Sequence, residues 1–177
     1  MSGVRRIIVG VSGSPGSLQA LRHAADLARA HNAPLVPVLA WTPPGGDLAD
    51  RRHPSPYLRQ IWRDAAWQRL WDAIDLALGG VPADVGFESD VVRGDPGDVL
   101  VGAAGHPDDV LVIGAGRRGA LARALCCRIS RYCLAHARCP VIAVPPSELA
   151  QVSHGLRGWS FRRRGLSPDG VGLPAAH

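Results

Sequence analysis

Residues 114–119 read GAGRRG, a G-x-G-x-x-G hexapeptide between an apolar β-branched run, VLVI, and a stretch with helical periodicity. Glycines at such a joint let the backbone approach a ligand closely. The helix that follows offers unpaired N–H groups and the positive end of its dipole. The chemistry open to these residues is therefore phosphate binding. A dinucleotide fingerprint asks for more: a place in the first strand–helix turn of its domain, and an acidic residue about twenty positions on to hold a ribose. Here the motif follows the fourth strand-like run, and the next acid, Glu148, comes about thirty residues after Gly119. The hexapeptide is a phosphate-type turn outside the dinucleotide context.

Other reactive side chains are few. The four cysteines are Cys126, Cys127, Cys133 and Cys139, with no C-x-x-C among them. They read as small buried hydrophobes, with a thiol sensor at Cys126 or Cys127 as the alternative. Cys133 and His136 are three apart on a helix and could share a metal, but no second close pair accompanies them, so no metal site is expected. Asp108 and Asp109 read as a solvated turn or cap at the start of the fourth strand. The chain has no G-x-x-x-x-G-K-S/T, no G-x-S-x-G and no H-E-x-x-H, so no catalytic residue is assigned. An enzyme of nucleotide chemistry on the same scaffold is the rival reading, and it would need an ordered triphosphate site and a metal-binding acid.

The elements that must position these residues follow from length and pattern. A chain of 177 residues with 46% hydrophobic and 20% charged residues fits about one globular domain. It holds no apolar run long enough for a membrane span, and MSGVRRIIVGVSG reads as a first strand rather than a signal peptide. A cytoplasmic location is expected. The net charge is +5 and every basic residue is arginine. Arg117, Arg118, Arg123, Arg128 and Arg131 crowd the motif, while Arg162, Arg163 and Arg164 lie near the end. A nucleic-acid face is not expected from so uneven a distribution.

Short apolar runs alternate with helical stretches. Residues 5–11 predict a strand, and SLQALRHAADLARAHN a helix capped by Ser14, with Pro15 at its first position and Asn32 as its stop. Residues 35–41 predict a second strand, short or bulged at Pro37 because proline removes a ladder donor. A Pro/Gly-bearing loop spans residues 42–56. A long helix over 57–78 carries Trp62, Trp67 and Trp71, which cannot all face one core stripe. Further predictions are a strand near 86–93, a GDPG turn, a helix over 97–105, a strand over 109–114, a helix over 119–136 and a strand over 140–144. This order predicts an α/β three-layer sandwich around a five-stranded parallel sheet. Residues 147–177, rich in Gly, Arg and Pro, read as a flexible tail after a domain over 1–146.

The opening IIVGVSGSPGS, the order of elements and the ending SRYCLAHARCPVIAVP together resemble the universal stress protein family over about residues 4–146. The resemblance implies a sheet of order 3-2-1-4-5, adenine-nucleotide alpha-hydrolase-like and broadly Rossmann-like, with a nucleotide cleft above the first and fourth strands. It also implies a homodimer made through the last strand, Pro140 to Val144. The family's ATP-binding members carry Gly-x-x-Gly, nine residues, then Gly and Ser or Thr. Anchored on Ser130 and the CPV ending, that motif falls on Gly114, Arg117, Cys127 and Arg128, so only Gly114 is retained; Gly116 is a glycine at another phase. Ser12 stands where members usually have an acid. Trp41 lies where the second strand contributes backbone to the adenine pocket. Cys127 would crowd a close backbone approach, whereas Arg128 and Arg117 could still meet phosphate. The expected site is thus an altered nucleotide cleft of Ser12, Trp41, Gly114, Gly116, Arg117, Cys127, Arg128 and Ser130. Its ligand would be ATP or another adenine nucleotide, another small anion, or none.

Overall fold

The structure is a computed structural model that describes residues 3–115 and 120–145, without the side chains of residues 49 and 120–127. Gly116, Arg117, the side chains of Cys126 and Cys127, and the tail expected from residue 147 lie outside the described residues.

Five parallel strands form one sheet: β1 (Arg6–Gly10), β2 (Leu35–Trp41), β3 (Asp90–Arg93), β4 (Asp109–Gly114) and β5 (Val141–Val144), in the order β3-β2-β1-β4-β5. Side chains alternate across a strand, and the sequence fills both faces. Ile7, Val9, Leu35, Leu39 and Val112 pack beneath α1 (Pro15–His31) and α3 (Pro56–Leu78). Ile8, Val36, Val38, Leu111 and Ile113 pack beneath α4 (Pro96–Ala103) and α5 (Ala120–His136). Each face thus buries its own cluster, as a parallel sheet requires.

Helix α1 begins and ends where its sequence says. Ser14 accepts the Ser17 N–H, Pro15 occupies the first turn, and Asn32 closes the helix in the left-handed region at φ 49°. The same cap–proline pair recurs as Ser55-Pro56 before α3 and Asp95-Pro96 before α4.

Three expectations need correction. The loop over 42–56 contains a short helix, α2 (Gly46–Arg52). The buried Asp50 fixes it by accepting from Arg59 and Arg93, each at 2.8 Å. Strand β2 is neither short nor bulged. Leu35 and Trp41 direct backbone groups at the β3 side, so Pro37, in phase with them, lacks its N–H on that side too. The β2–β3 ladder breaks there, between an isolated Leu35–Phe87 bridge and the pairing that resumes at Val38–Asp90. The proline therefore shortens its neighbour. Lastly, Asp109 is no solvated cap. It is fully buried and pairs in register with Arg6 of β1, whose guanidinium donates to both carboxylate oxygens at 3.1 and 2.8 Å. The His106 N–H adds a third bond at 3.1 Å. Burial alone would raise this carboxyl, but Arg6 and the His106 N–H more than offset it and hold it below the usual range.

Tryptophan placement follows the broken periodicity of α3. Trp62 and Trp67 pack partly buried against the core, while Trp71 stays 38% exposed between Trp67 and Phe87, each ring centre 6.4 Å away.

Candidate functional site

Strand order reverses between β1 and β4, and ligands of open α/β sheets bind at the carboxyl ends of strands at such a switch. A cavity of about 150 Å³ lies there. Its floor is Gly10 and Val11 of the β1 end, Val38 and Ala40 of β2, and Ile113 and Gly114 of β4. Helix α4 contributes Pro96 and Leu100, and α5 contributes Ile129 and Ser130. Gly16 and three serines from the start of α1 and the loop before it, Ser12, Ser14 and Ser17, complete the described lining.

Two glycines set its shape. A Cβ at Gly10 would stand 2.8 Å from a Leu100 methyl, so the leucine rides directly on the end of β1. A Cβ at Gly114 would stand 2.7 Å from the carbonyl carbon and oxygen of Gly16. Gly114 thus lets β4 run against the first turn of α1, a packing reason for a glycine there that needs no ligand.

The serines are tied to one another. Ser12 and Ser14 hydroxyls lie 3.1 Å apart. Ser14 Oγ accepts the Ser17 N–H at 3.3 Å. Ser17 Oγ donates to the Ser14 carbonyl at 2.9 Å and accepts the Ser12 N–H at 3.2 Å. Among the described residues no charged side chain lines the cavity.

Of the expected site residues, the structure brings together Ser12, Gly114 and Ser130. The Trp41 side chain, as distinct from the backbone on which its expectation rested, follows Leu39 to the opposite face, 8% exposed, and borders a separate arginine-rimmed hollow with Arg59, Arg63 and Arg93. The backbone neighbours that do reach the cavity are Val38 and Ala40. Arg128 is 78% exposed and lies 3.8 Å from Asp95, the α4 cap, rather than on the cavity wall. Ser14, Gly16, Ser17 and Leu100 were missed as site residues. Ser14 and Pro15 signal the helix start, but nothing local in the sequence tells that α1 begins at the cleft.

The remaining reactive groups do not converge. Cys133, on α5, is buried in the cluster with Leu100, Leu111 and Ile113, whereas His136 is exposed and stacks on Tyr132 with ring centres 4.1 Å apart. No cluster of three or more metal-ligating side chains occurs among the described residues. Burial raises the thiols of Cys133 and Cys139 above the ordinary cysteine value, which favours the unreactive protonated form. Among the described residues no helix is long and apolar enough to cross a membrane.

A five-stranded parallel sheet of this order, with a cavity at its reversal point, defines an open α/β scaffold whose cleft lies at the topological switch. The chain belongs to the universal stress protein family, whose sequence profile matches residues 3–145. Its fold is similar to that of universal stress protein UspA from Lactobacillus plantarum, at 21% identity and TM-score 0.59, over 81% of this chain and 99% of that one. It is similar to a universal stress protein solved in complex with cAMP, at 24% identity and TM-score 0.52, over 82% and 100%. It is also similar to the universal stress protein from Archaeoglobus fulgidus in complex with dAMP, at 22% identity and TM-score 0.53, over 79% and 97%. No curated protein matches the chain.

Proposed function

We propose that this chain is a cytoplasmic, regulatory protein of the stress response, a homodimer without catalytic activity, whose nucleotide cleft has been altered so that it does not hold ATP in the family's usual mode. The observation that carries this reading is the cavity itself. At about 150 Å³ it is below the roughly 300 Å³ at which sites for drug-sized ligands begin, and its described lining is uncharged. Triphosphate needs cationic or backbone donors, yet Arg128 is turned toward Asp95 and Ser12 replaces the acid that would help hold the nucleoside. Gly114, the one motif glycine retained, has a structural task against Gly16. The dimer reading rests on β5, an edge strand with Val141 and Ile142 half-buried and Ala143 exposed.

Binding of an adenine nucleotide is the second reading, favoured by the cAMP and dAMP complexes of the structural neighbours. Mass spectrometry of the protein released from cells under native conditions separates the two. The proposed reading expects a dimer mass without nucleotide. A co-purified adenine nucleotide supports the second reading instead, and a monomer mass removes the dimer.

A further inference from the structure

The hollow beside the Trp41 side chain has a chemistry of its own, independent of the reversal-point cavity. It measures about 310 Å³ and is lined by Trp41, Pro56, Arg59, Gln60, Arg63 and Arg93. We propose that it binds a small phosphate-class oxyanion, free phosphate or the phosphate end of a small monoester, between the guanidinium groups of Arg59, Arg63 and Arg93.

Two of these arginines occupy positions that a helix normally gives to its core. Ala66, Leu70, Ala73 and Ile74 are the buried residues of α3, and stepping back from Ala66 by three and then four positions along that face gives Arg63 and Arg59. The stripe turned toward the sheet thus changes from apolar to cationic in the first turns of the helix. Trp41 and Arg93 are register partners at the carboxyl ends of β2 and β3, so their side chains leave the sheet on one face.

The acids nearby account for only part of this arrangement. Buried Asp50 accepts the Arg59 Nε–H at 2.8 and 3.0 Å and lies 2.8 Å from Arg93 Nη2, while Asp47 accepts from Arg93 at 2.5 and 3.2 Å. These bonds hold two guanidinium forks in place, and the bond to Arg59 uses its Nε–H alone. Asp47 and Asp50 balance two of the three cations. Arg63 has no share in the clamp: among the described residues the acid it approaches is its neighbour Asp64, at 4.0 Å, with both side chains exposed. Such a surface pair is worth little. Guanidinium forks match phosphate oxygens, and forks held in advance by a buried acid lose less freedom on binding.

The test is a chemical-shift titration of the full ¹⁵N-labelled chain with inorganic phosphate and, separately, phenyl phosphate, at constant ionic strength set with chloride. Saturable shifts are expected at the Arg59, Arg63 and Arg93 side-chain Nε–H signals and at the Gln60 amide. Tighter binding of phenyl phosphate marks a monoester as the ligand, and equal or weaker binding marks free phosphate; either supports the site. Arg63→Gln should weaken phosphate at least about tenfold, or ~1.4 kcal/mol. Arg69→Gln, an equal charge loss on the same helix outside the lining, should leave affinity within about twofold. Equal weakening by both variants would mean diffuse attraction and overturn the proposal, as would no saturable shift at millimolar phosphate. Shifts confined to the Ser12 and Gly114 amides would place the anion in the reversal-point cavity and also overturn it. If Arg63→Gln does not fold, the location of the shifts in the unmodified protein and the Arg69→Gln affinity decide.

Discussion

Single residues divide into those whose role is readable from type and those that need a partner. Ser12 and Gly114 sit at element ends whose position the strand–helix alternation fixes, Ser130 lies within α5, and the structure brings all three to one cavity. The side chain of Trp41 shares a face with Leu39, and which face meets α4 depends on helices far along the chain; the expectation placed on its backbone is not decided by that parity. Arg128 fails because a long side chain reaches to Asp95 instead of the cavity. Asp109 looks like a turn residue until Arg6, more than a hundred positions away, stands beside it. Gly114→Ala drives a Cβ to 2.7 Å from Gly16 backbone and is expected to destabilise by about 1–3 kcal/mol, read from the urea midpoint. The buried pair predicts a pH effect. The folded-state pKa of Asp109 is depressed, so its contribution is complete above the unfolded value near ~3.9 and disappears as pH falls through the folded value. Asp109→Asn should lower stability at neutral pH and flatten the acid limb of a pH–stability curve. An acid limb identical to that of the unmodified protein would refute this.

Elements are more legible than their exceptions. The boundaries of α1 follow from Ser14-Pro15 and Asn32, local signals that bind their own backbone. Helix α2 was not legible, since its seven residues have too few turns for periodicity, and long-range ion pairs fix it. Pro37 was legible as a broken donor but not as to which neighbour bears the loss, because that depends on sheet order. The clamp on α2 gives a test confined to one element. Asp50→Ala removes the buried acceptor shared by Arg59 and Arg93, and amides of residues 46–52 should exchange at least about tenfold faster, equivalent to ~1.4 kcal/mol of local opening. Unchanged exchange there would mean that the ion pairs do not anchor the helix.

At the scale of the whole molecule, alternation alone implies a covered parallel sheet, while the strand order came from the resemblance and is the order observed. The proposed dimer depends on the β5 edge. Ala143 is exposed on it, so Ala143→Glu should leave the monomer folded while sedimentation shows the dimer dissociating. The central claim is the proposal that the cavity at the sheet's reversal point does not seat a triphosphate. Isothermal titration with ATP and Mg²⁺ measures this most directly. The account predicts no binding at micromolar affinity, and a micromolar isotherm with one site per chain would contradict it.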